Sequence, residues 1–250
     1  MFEIIVPTYN SSPNLGKLIE SVITQSNSDW RLHIICDTCS QSFEEATQIA
    51  AFLEDNRINV IFNTTRKYAL RNIVTTINET NLDDESIIAI IDGDDQLCDK
   101  DCFKYISRQY EDTITEDCLC EKGCSVLWTG HKWDDRDLNV SQFLPENENP
   151  YTFPWVSSHL RTFKRGLLKK INPDNFKDDK GQWFKRGYDQ ALMLPILYYC
   201  YKNNLKTCYL PRISYIYNHA GSATPKEEHT GGKLEEGIAQ FIRQRGYIPT

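Results

Sequence analysis

The chain has 250 residues, 40% hydrophobic and 25% charged, a balance that excludes the disordered, collagen-like and membrane-embedded classes. Its formal net charge of −7 leaves no basic surplus to displace counterions from a nucleic-acid backbone. Nucleic acid is therefore excluded as a partner, and an anionic ligand needs local help from a bound cation or a few arginines.

Short apolar runs alternate with amphipathic stretches over the first hundred residues. Strands are predicted at 2–6, 32–36, 59–62 and 87–91, with helices at 14–24, 43–53 and 68–77 between them. Such β-α repetition predicts an α/β fold with a mostly parallel sheet flanked by helices. Beyond residue 100 the pattern predicts a helix at 103–110, a cysteine-rich loop and a strand at 125–129. The polar, proline-bearing stretch 134–153 reads as a long mobile loop, since loops of that length are usually functional or disordered. Helices follow at 163–169 and 189–201, apolar runs at 207–210 and 214–217, and a last helix at 233–243 after the Gly231-Gly232 hinge. The longest apolar stretch, 191–201, contains Pro195 and is far shorter than the roughly 20 residues of a membrane span, which leaves only peripheral membrane contact.

A chain of this size buries roughly 70–75% of its unfolded surface and needs no covalent staples. Nine cysteines, an odd number, and the absence of a basic-then-apolar leader at Met1-Phe2-Glu3-Ile4 predict a reducing, cytoplasmic setting.

Ligands of such sheets bind beyond the carboxyl ends of the strands. The polar residues at those ends are Pro7-Thr8-Tyr9-Asn10, Asp37, residues 63–66 including Arg66, and Asp92-Gly93-Asp94-Asp95. Close pairs of aspartates in that last turn repel by about 4 kcal/mol at an effective dielectric near 20, and a hard divalent cation removes the penalty. Mg²⁺ or Mn²⁺ is the expected ion.

These motifs, together with Asn63, Arg71-Asn72, Asp189 and Tyr217-Asn218-His219, resemble the inverting nucleotide-sugar glycosyltransferases of family 2 with the GT-A fold. The resemblance runs to about Ser222, and the segments Trp155 to Phe163 and Gly187 to Ala191 resemble a branch of small stand-alone enzymes. It implies a single GT-A domain with a nucleotide-sugar half at 1–98, an acceptor and catalytic half at 99–222 and a helical tail at 223–250. It also implies that Pro7, Thr8, Tyr9, Asn10 and Asp37 hold the nucleoside, uracil being favoured, although Cys36-Asp37-Thr38-Cys39-Ser40 lacks the family's second acid and glycine. Arg66 and Arg71 would face the diphosphate or lock an aspartate of the site, Asp92 the ribose or sugar, and Asp94 the metal with Asp95 supporting it, with Gly93 allowing close approach and His219 completing the metal or diphosphate site. Asp189 would be the general base of an inverting transfer to a glycan, lipid-linked or protein hydroxyl. Trp155, His159 and Trp183 offer aromatic faces for that acceptor.

Two other classes fit parts of the pattern. An aspartyl-nucleophile phosphatase would use Asp92, but the acidic motif stands on the fourth strand and Gln96 replaces the expected Thr or Val. A non-catalytic nucleotide-sugar binder, or a zinc module built from Cys98, Cys102, Cys118, Cys120 and Cys124, would need thiolate spacings that the chain does not show.

Overall fold

Every residue of β1 (Phe2–Thr8) is buried, as a strand covered on both faces requires. It pairs in parallel with β2 (Trp30–Cys36) on one side and β4 (Ile87–Ile90) on the other. β3 (Ile58–Phe62) extends the sheet in parallel beyond β2. The crossovers are α1 (Ser12–Ile23), α2 (Ser42–Ala50) and α3 (Ala69–Glu79). α1 has a proline in its first turn and buries Leu15, Leu18, Ile19 and Val22, the i, i+3, i+4, i+7 stripe that docks a helix on a sheet.

The computed structural model describes residues 1–111, 123–219 and 232–250, with side chains of the last segment from residue 236 onward. Its further elements are β5 (Gln96–Leu97), α4 (Cys102–Tyr110), β6 (Val126–Trp133), β7 (Arg161–Lys164), α5 (Arg165–Leu168), a 3₁₀ turn (Pro173–Phe176), α6 (Tyr188–Lys202), β8 (Thr207–Tyr217) and α7 (Gly232–Arg245). The sheet order is β3-β2-β1-β4-β7-β6-β8-β5.

The sheet is mixed, with four of its seven strand pairs parallel. β7 runs antiparallel to both β4 and β6, β8 runs parallel to β6, and β5 closes the far edge antiparallel to β8. The helix predicted at 163–169 is therefore a strand followed by a single helical turn, because Phe163 pairs with Ile88 on one side and Val126 on the other. The apolar runs 207–210 and 214–217 form one strand. A register shift opposite Gly130 absorbs Pro211 and Arg212 between them.

Alternation along the central strands divides the core into two layers. Ile88, Ile90, Val126, Trp128 and Phe163 pack with residues of α3 and α6 on one face. Ile87, Ala89, Ile91 and Leu127 pack with residues of α1 and α4 on the other. α6 is apolar nearly all round, and the eight residues buried along it include Pro195.

The 134–153 stretch forms no helix or strand, but it is anchored, contrary to the expectation of a mobile loop. Leu144 and Tyr151 are buried, and the Trp128 indole donates to the carbonyl of Gln142 at 2.9 Å. The all-thiol reading also changes, since Cys124 and Cys208, 84 residues apart, form a disulfide. That removes Cys124 from the cysteine set considered for zinc, while Cys118 and Cys120 lie outside the described residues. No helix among the described residues is long and apolar enough to cross a membrane.

Phe163 is fully buried where the parallel and mixed parts of the sheet meet. Phe163→Ala is expected to cost about 3–5 kcal/mol of stability, measured by urea denaturation against wild type.

Candidate active site

The carboxyl ends of β1, β2 and β4 open onto a cleft of about 270 Å³. Of the residues proposed from sequence it is lined by Pro7, Thr8, Tyr9, Asp37, Arg66, Asp92, Gly93 and Asp94. Ser11, Tyr68, Asn72, Lys185, Arg186, Gly187, Tyr188 and Tyr217 also face it.

The β1 end is shaped by an acid from α2 that is absent from any motif. The carboxylate of fully buried Glu45 accepts from the Thr8 hydroxyl at 3.1 Å and from the Ser11 backbone N–H at 2.7 Å. Burial pushes the Glu45 pKa up, and those hydrogen bonds draw it back toward the ionised form. Tyr9 carries the Arg66 guanidinium 3.6 Å above its ring, with Tyr68 4.4 Å from the same cation, a cation-π arrangement that fixes the arginine at the cleft wall.

Asp37 is buried and holds the turn before α3. Its carboxylate accepts from Asn63 Nδ2 at 2.9 Å, from the Lys67 N–H at 2.9 and 3.1 Å, and from the Tyr68 N–H at 2.7 Å. Asn72, buried, accepts the other Asn63 Nδ2 hydrogen at 2.9 Å.

Asp92 lies at the junction of three elements. Its Oδ1 accepts from the Tyr188 hydroxyl, its Oδ2 from Arg161 Nη2 at 3.3 Å, and its N–H donates to the Tyr215 hydroxyl at 3.0 Å. Arg161 is 1% exposed, and the same Nη2 donates to the Tyr188 hydroxyl at 2.7 Å and faces His159 Nδ1 at 3.4 Å. Burial opposes its charge, but Tyr188, Asp92 and Asp189 around it outweigh that and raise its pKa above the usual arginine value. Burial, then the nearby Arg161, pushes His159 well below the usual histidine range and His131 down to about 4. Both imidazoles are neutral at physiological pH, and His159 stacks on Tyr215 with ring centres 4.6 Å apart.

Asp95 is buried, and its two oxygens accept from the Tyr215 hydroxyl at 2.6 Å and the Asn218 N–H at 2.8 Å. Burial, with Asp92 and Asp94 close by, raises its pKa well above the usual carboxylate value. Among the described residues, Asp92, Asp95 and His159 bring potential ligand atoms within 4.8 Å of one another. Arg161 Nη2 already stands beside two of them, however, and Tyr215 and Asn218 satisfy the third. The acid of the turn that faces the cleft alongside Asp92 is Asp94, a hard oxygen donor of the type that Mg²⁺ and Mn²⁺ accept.

Asp189 sits in the first turn of α6, whose N-cap Gly187 adopts the left-handed conformation at φ 61°. Burial raises the Asp189 pKa, and the charge of Arg161 partly lowers it again.

Several residues proposed from sequence stand elsewhere. Arg71 is exposed on α3 and does not line the cleft, because its neighbour Asn72 takes the inward face of that turn. Asn10 does not line the cleft and contacts Ser40 and Cys39 instead. His219, proposed as a metal ligand, is exposed and faces Asp135 Oδ2 at 3.1 Å with its ring against Trp133. His159 is too deeply buried under Asp92 to present a face to an acceptor. Trp155 packs against the core, and Trp183 lies outside the cleft on Phe176.

Residues 3–172, more than half of the chain, match the family described as Glycosyl transferase family 2. The chain belongs to that family. WcaA of Escherichia coli K12, assigned by inference to colanic acid biosynthesis as a glycosyl transferase, is 38% identical over 63 residues, 25% of this chain and 22% of that protein. S. aureus TarS 1-349 in complex with UDP superposes with a TM-score of 0.62 at 17% identity, over 87% of this chain and 60% of that one. The mannosyltransferase PcManGT of Pyrobaculum calidifontis, in complex with GDP-Man and Mn²⁺, gives 0.61 at 14% identity over 97% and 62%. Glucosyl-3-phosphoglycerate synthase of Mycobacterium tuberculosis, with Mn²⁺, UDP and glucosyl-3-phosphoglycerate, gives 0.61 at 12% identity over 97% and 79%. The chain thus spans about a fifth of WcaA and about three-fifths of the TarS fragment. At these identities the structural likenesses establish the fold, which is GT-A.

In this family 2 chain, Gly93 is required by the protein itself. A Cβ there would lie 2.9 Å from Ser11 Oγ and 3.0 Å from both the Pro7 carbonyl oxygen and Thr8 Cγ2. Gly93→Ala is expected to displace the β1 end and destabilise the chain by about 1–3 kcal/mol, read from the urea midpoint.

Proposed function

We propose that the chain transfers a sugar, with inversion, from a nucleotide diphosphate donor, a UDP-sugar being favoured, to a hydroxyl of a glycan, lipid-linked or protein acceptor. One observation supports this most directly. Tyr188, the residue before the proposed base, lines the cleft and donates its hydroxyl to Asp92 of the acidic turn, so the start of the helix that carries Asp189 stands against that turn.

Residues 1–98 supply the donor side, residues 99–222 the acceptor and catalytic side, and residues 223–250 the tail. Tyr9, Arg66, Tyr68 and Asn72 form the wall proposed for the nucleoside. Arg66, Lys185 and Arg186 bring positive charge to the cleft, where the diphosphate would lie. Asp189 accepts the proton of the attacking hydroxyl as its oxygen bonds to the anomeric carbon. The bond from that carbon to the phosphate oxygen breaks, and its electron pair leaves with the nucleotide diphosphate. Asp94 would hold a divalent ion, Mn²⁺ or Mg²⁺, which when bound would supply Lewis-acid stabilisation of that leaving group. A cytoplasmic setting fits the five free cysteines of the described residues, although the Cys124–Cys208 disulfide departs from it. The phosphatase alternative is disfavoured because Tyr188 and Arg161 occupy the oxygens of Asp92 that would attack.

Asp189→Asn is expected to leave UDP binding by calorimetry within about twofold of wild type and to lower turnover by about 10² or more. Because burial raises the Asp189 pKa, the wild-type rate rises with pH above the ordinary aspartate range, and this ascending limb disappears in the variant. Loss of UDP binding with turnover retained would sink the assignment. Asp94→Ala is expected to weaken Mn²⁺-dependent UDP binding by tenfold or more, on the order of 1.4 kcal/mol. Equal Mn²⁺ dependence in the variant and wild type would refute the metal role. A screen of nucleotide sugars with Mn²⁺, following release of the nucleotide, identifies the donor without an acceptor.

A further inference from the structure

A second pocket, of about 520 Å³, lies between the 178–185 segment and α7. Its size falls within the range of about 300–1,000 Å³ typical of small-molecule sites. Its apolar walls are Trp183, Phe184, Ile238 and Phe241.

These walls are held in place. Trp183 lies parallel to Phe176, with ring centres 6.3 Å apart, and Phe184 meets Phe241 edge-on at 6.1 Å. The turn leading into Trp183 is closed by the Asp178 side chain, which accepts from the Lys180 and Gln182 N–H groups at 2.9 and 2.8 Å. Space is left open from the helix side as well. Gly237 lies inside α7, where glycine is a poor helix former, and a Cβ there would meet nothing within 4 Å.

The pocket adjoins the cleft at two points. Lys185 lines both. Gly187, the N-cap of the helix that carries Asp189, would bring a Cβ within 3.4 Å of Ile238 in the pocket wall. A ligand seated in the pocket and extending past Lys185 therefore reaches the start of α6.

We propose that this pocket binds an apolar aglycone, aromatic or aliphatic, attached to the acceptor sugar, and so selects acceptors that carry such a group. The acceptor role rests on the glycosyl-transfer reading above; the binding chemistry of the pocket stands on its own walls. Asp179, Lys180 and Lys185 also line the pocket and are exposed, so the polar head of such a ligand would stay solvated beside them while its tail is buried, the division that an amphipathic acceptor needs.

The test titrates n-octyl β-glucoside and methyl β-glucoside, below the octyl compound's micellar concentration, into the full chain and follows tryptophan fluorescence. The octyl compound is expected to give a saturable change that Trp183→Phe removes, and the methyl compound none. Gly237→Leu fills the open space and is expected to weaken octyl glucoside at least tenfold, while Gly237→Ala retains binding and shows that the helix tolerates substitution. Calorimetric UDP binding should be the same in wild type and both Gly237 variants. In transfer assays with a panel of octyl and methyl glycosides, octyl acceptors should have the lower KM, and Gly237→Leu should remove that advantage. Octyl binding that does not saturate, or that Gly237→Leu leaves unchanged, overturns the pocket. Saturable octyl binding without any KM advantage overturns the acceptor role. Failure of wild type to bind UDP overturns the glycosyl-transfer reading, separately from the fluorescence result.

Discussion

The cleft depends on one buried guanidinium. Arg161 projects from β7, the strand that joins the parallel and mixed parts of the sheet, and its Nη2 contacts Asp92 beyond β4 and Tyr188 at the start of α6. Three elements far apart in sequence thus meet at a single charge. Without it, the like charges of Asp92 and Asp189 would lose the cation they share. Its place on a strand paired on both sides, with β4 and β6, gives it little freedom to move. The neutral His159 behind it turns a nitrogen toward the cation rather than competing for Asp92.

The β1 and β2 side of the cleft is built on a different basis. There the chain positions backbone and hydroxyl groups by hydrogen bonds to buried acids, Glu45 beneath the β1 end and Asp37 beneath the turn before α3. Neither acid is a surface charge awaiting a ligand, and each preserves the shape of a loop that would otherwise be free. The cleft therefore has a stiff wall of self-satisfied polar groups on one side. Lys185 and Arg186, on the segment that leads into α6, also line the cleft, with Lys185 Nζ 5.4 Å from the centre of the Tyr68 ring.

Much of this was legible in the residues, for identifiable reasons. The strands and helices of the first hundred residues repeat with clear periods, and one topological rule brings their polar ends together, as the cleft lining confirms for Pro7, Thr8, Tyr9, Asp37, Arg66, Asp92 and Asp94. β7 was not legible. Its four residues, Arg-Thr-Phe-Lys, carry too little alternation to register as a strand, and only pairing on both sides makes them one. Glu45 was hidden for a related reason, since a glutamate on an amphipathic helix ordinarily faces water, and only the β1 loop 34 residues away in sequence gives it partners. Arg71 and His219 show the opposite error. The motif placed them near the site, but local helix geometry in one case and an acidic neighbour, Asp135, in the other direct them elsewhere.

The saturation of Asp37 limits what that carboxylate can do for any ligand of the cleft. A carboxylate offers about four lone-pair directions, and those of Asp37 are taken by one side-chain amide and two backbone amides of its own chain. It has little left with which to accept from a ligand. Selectivity at this end of the cleft then rests on shape, set by the Arg66 guanidinium held against the rings of both Tyr9 and Tyr68, and altering it would mean rebuilding that stack rather than exchanging the acid.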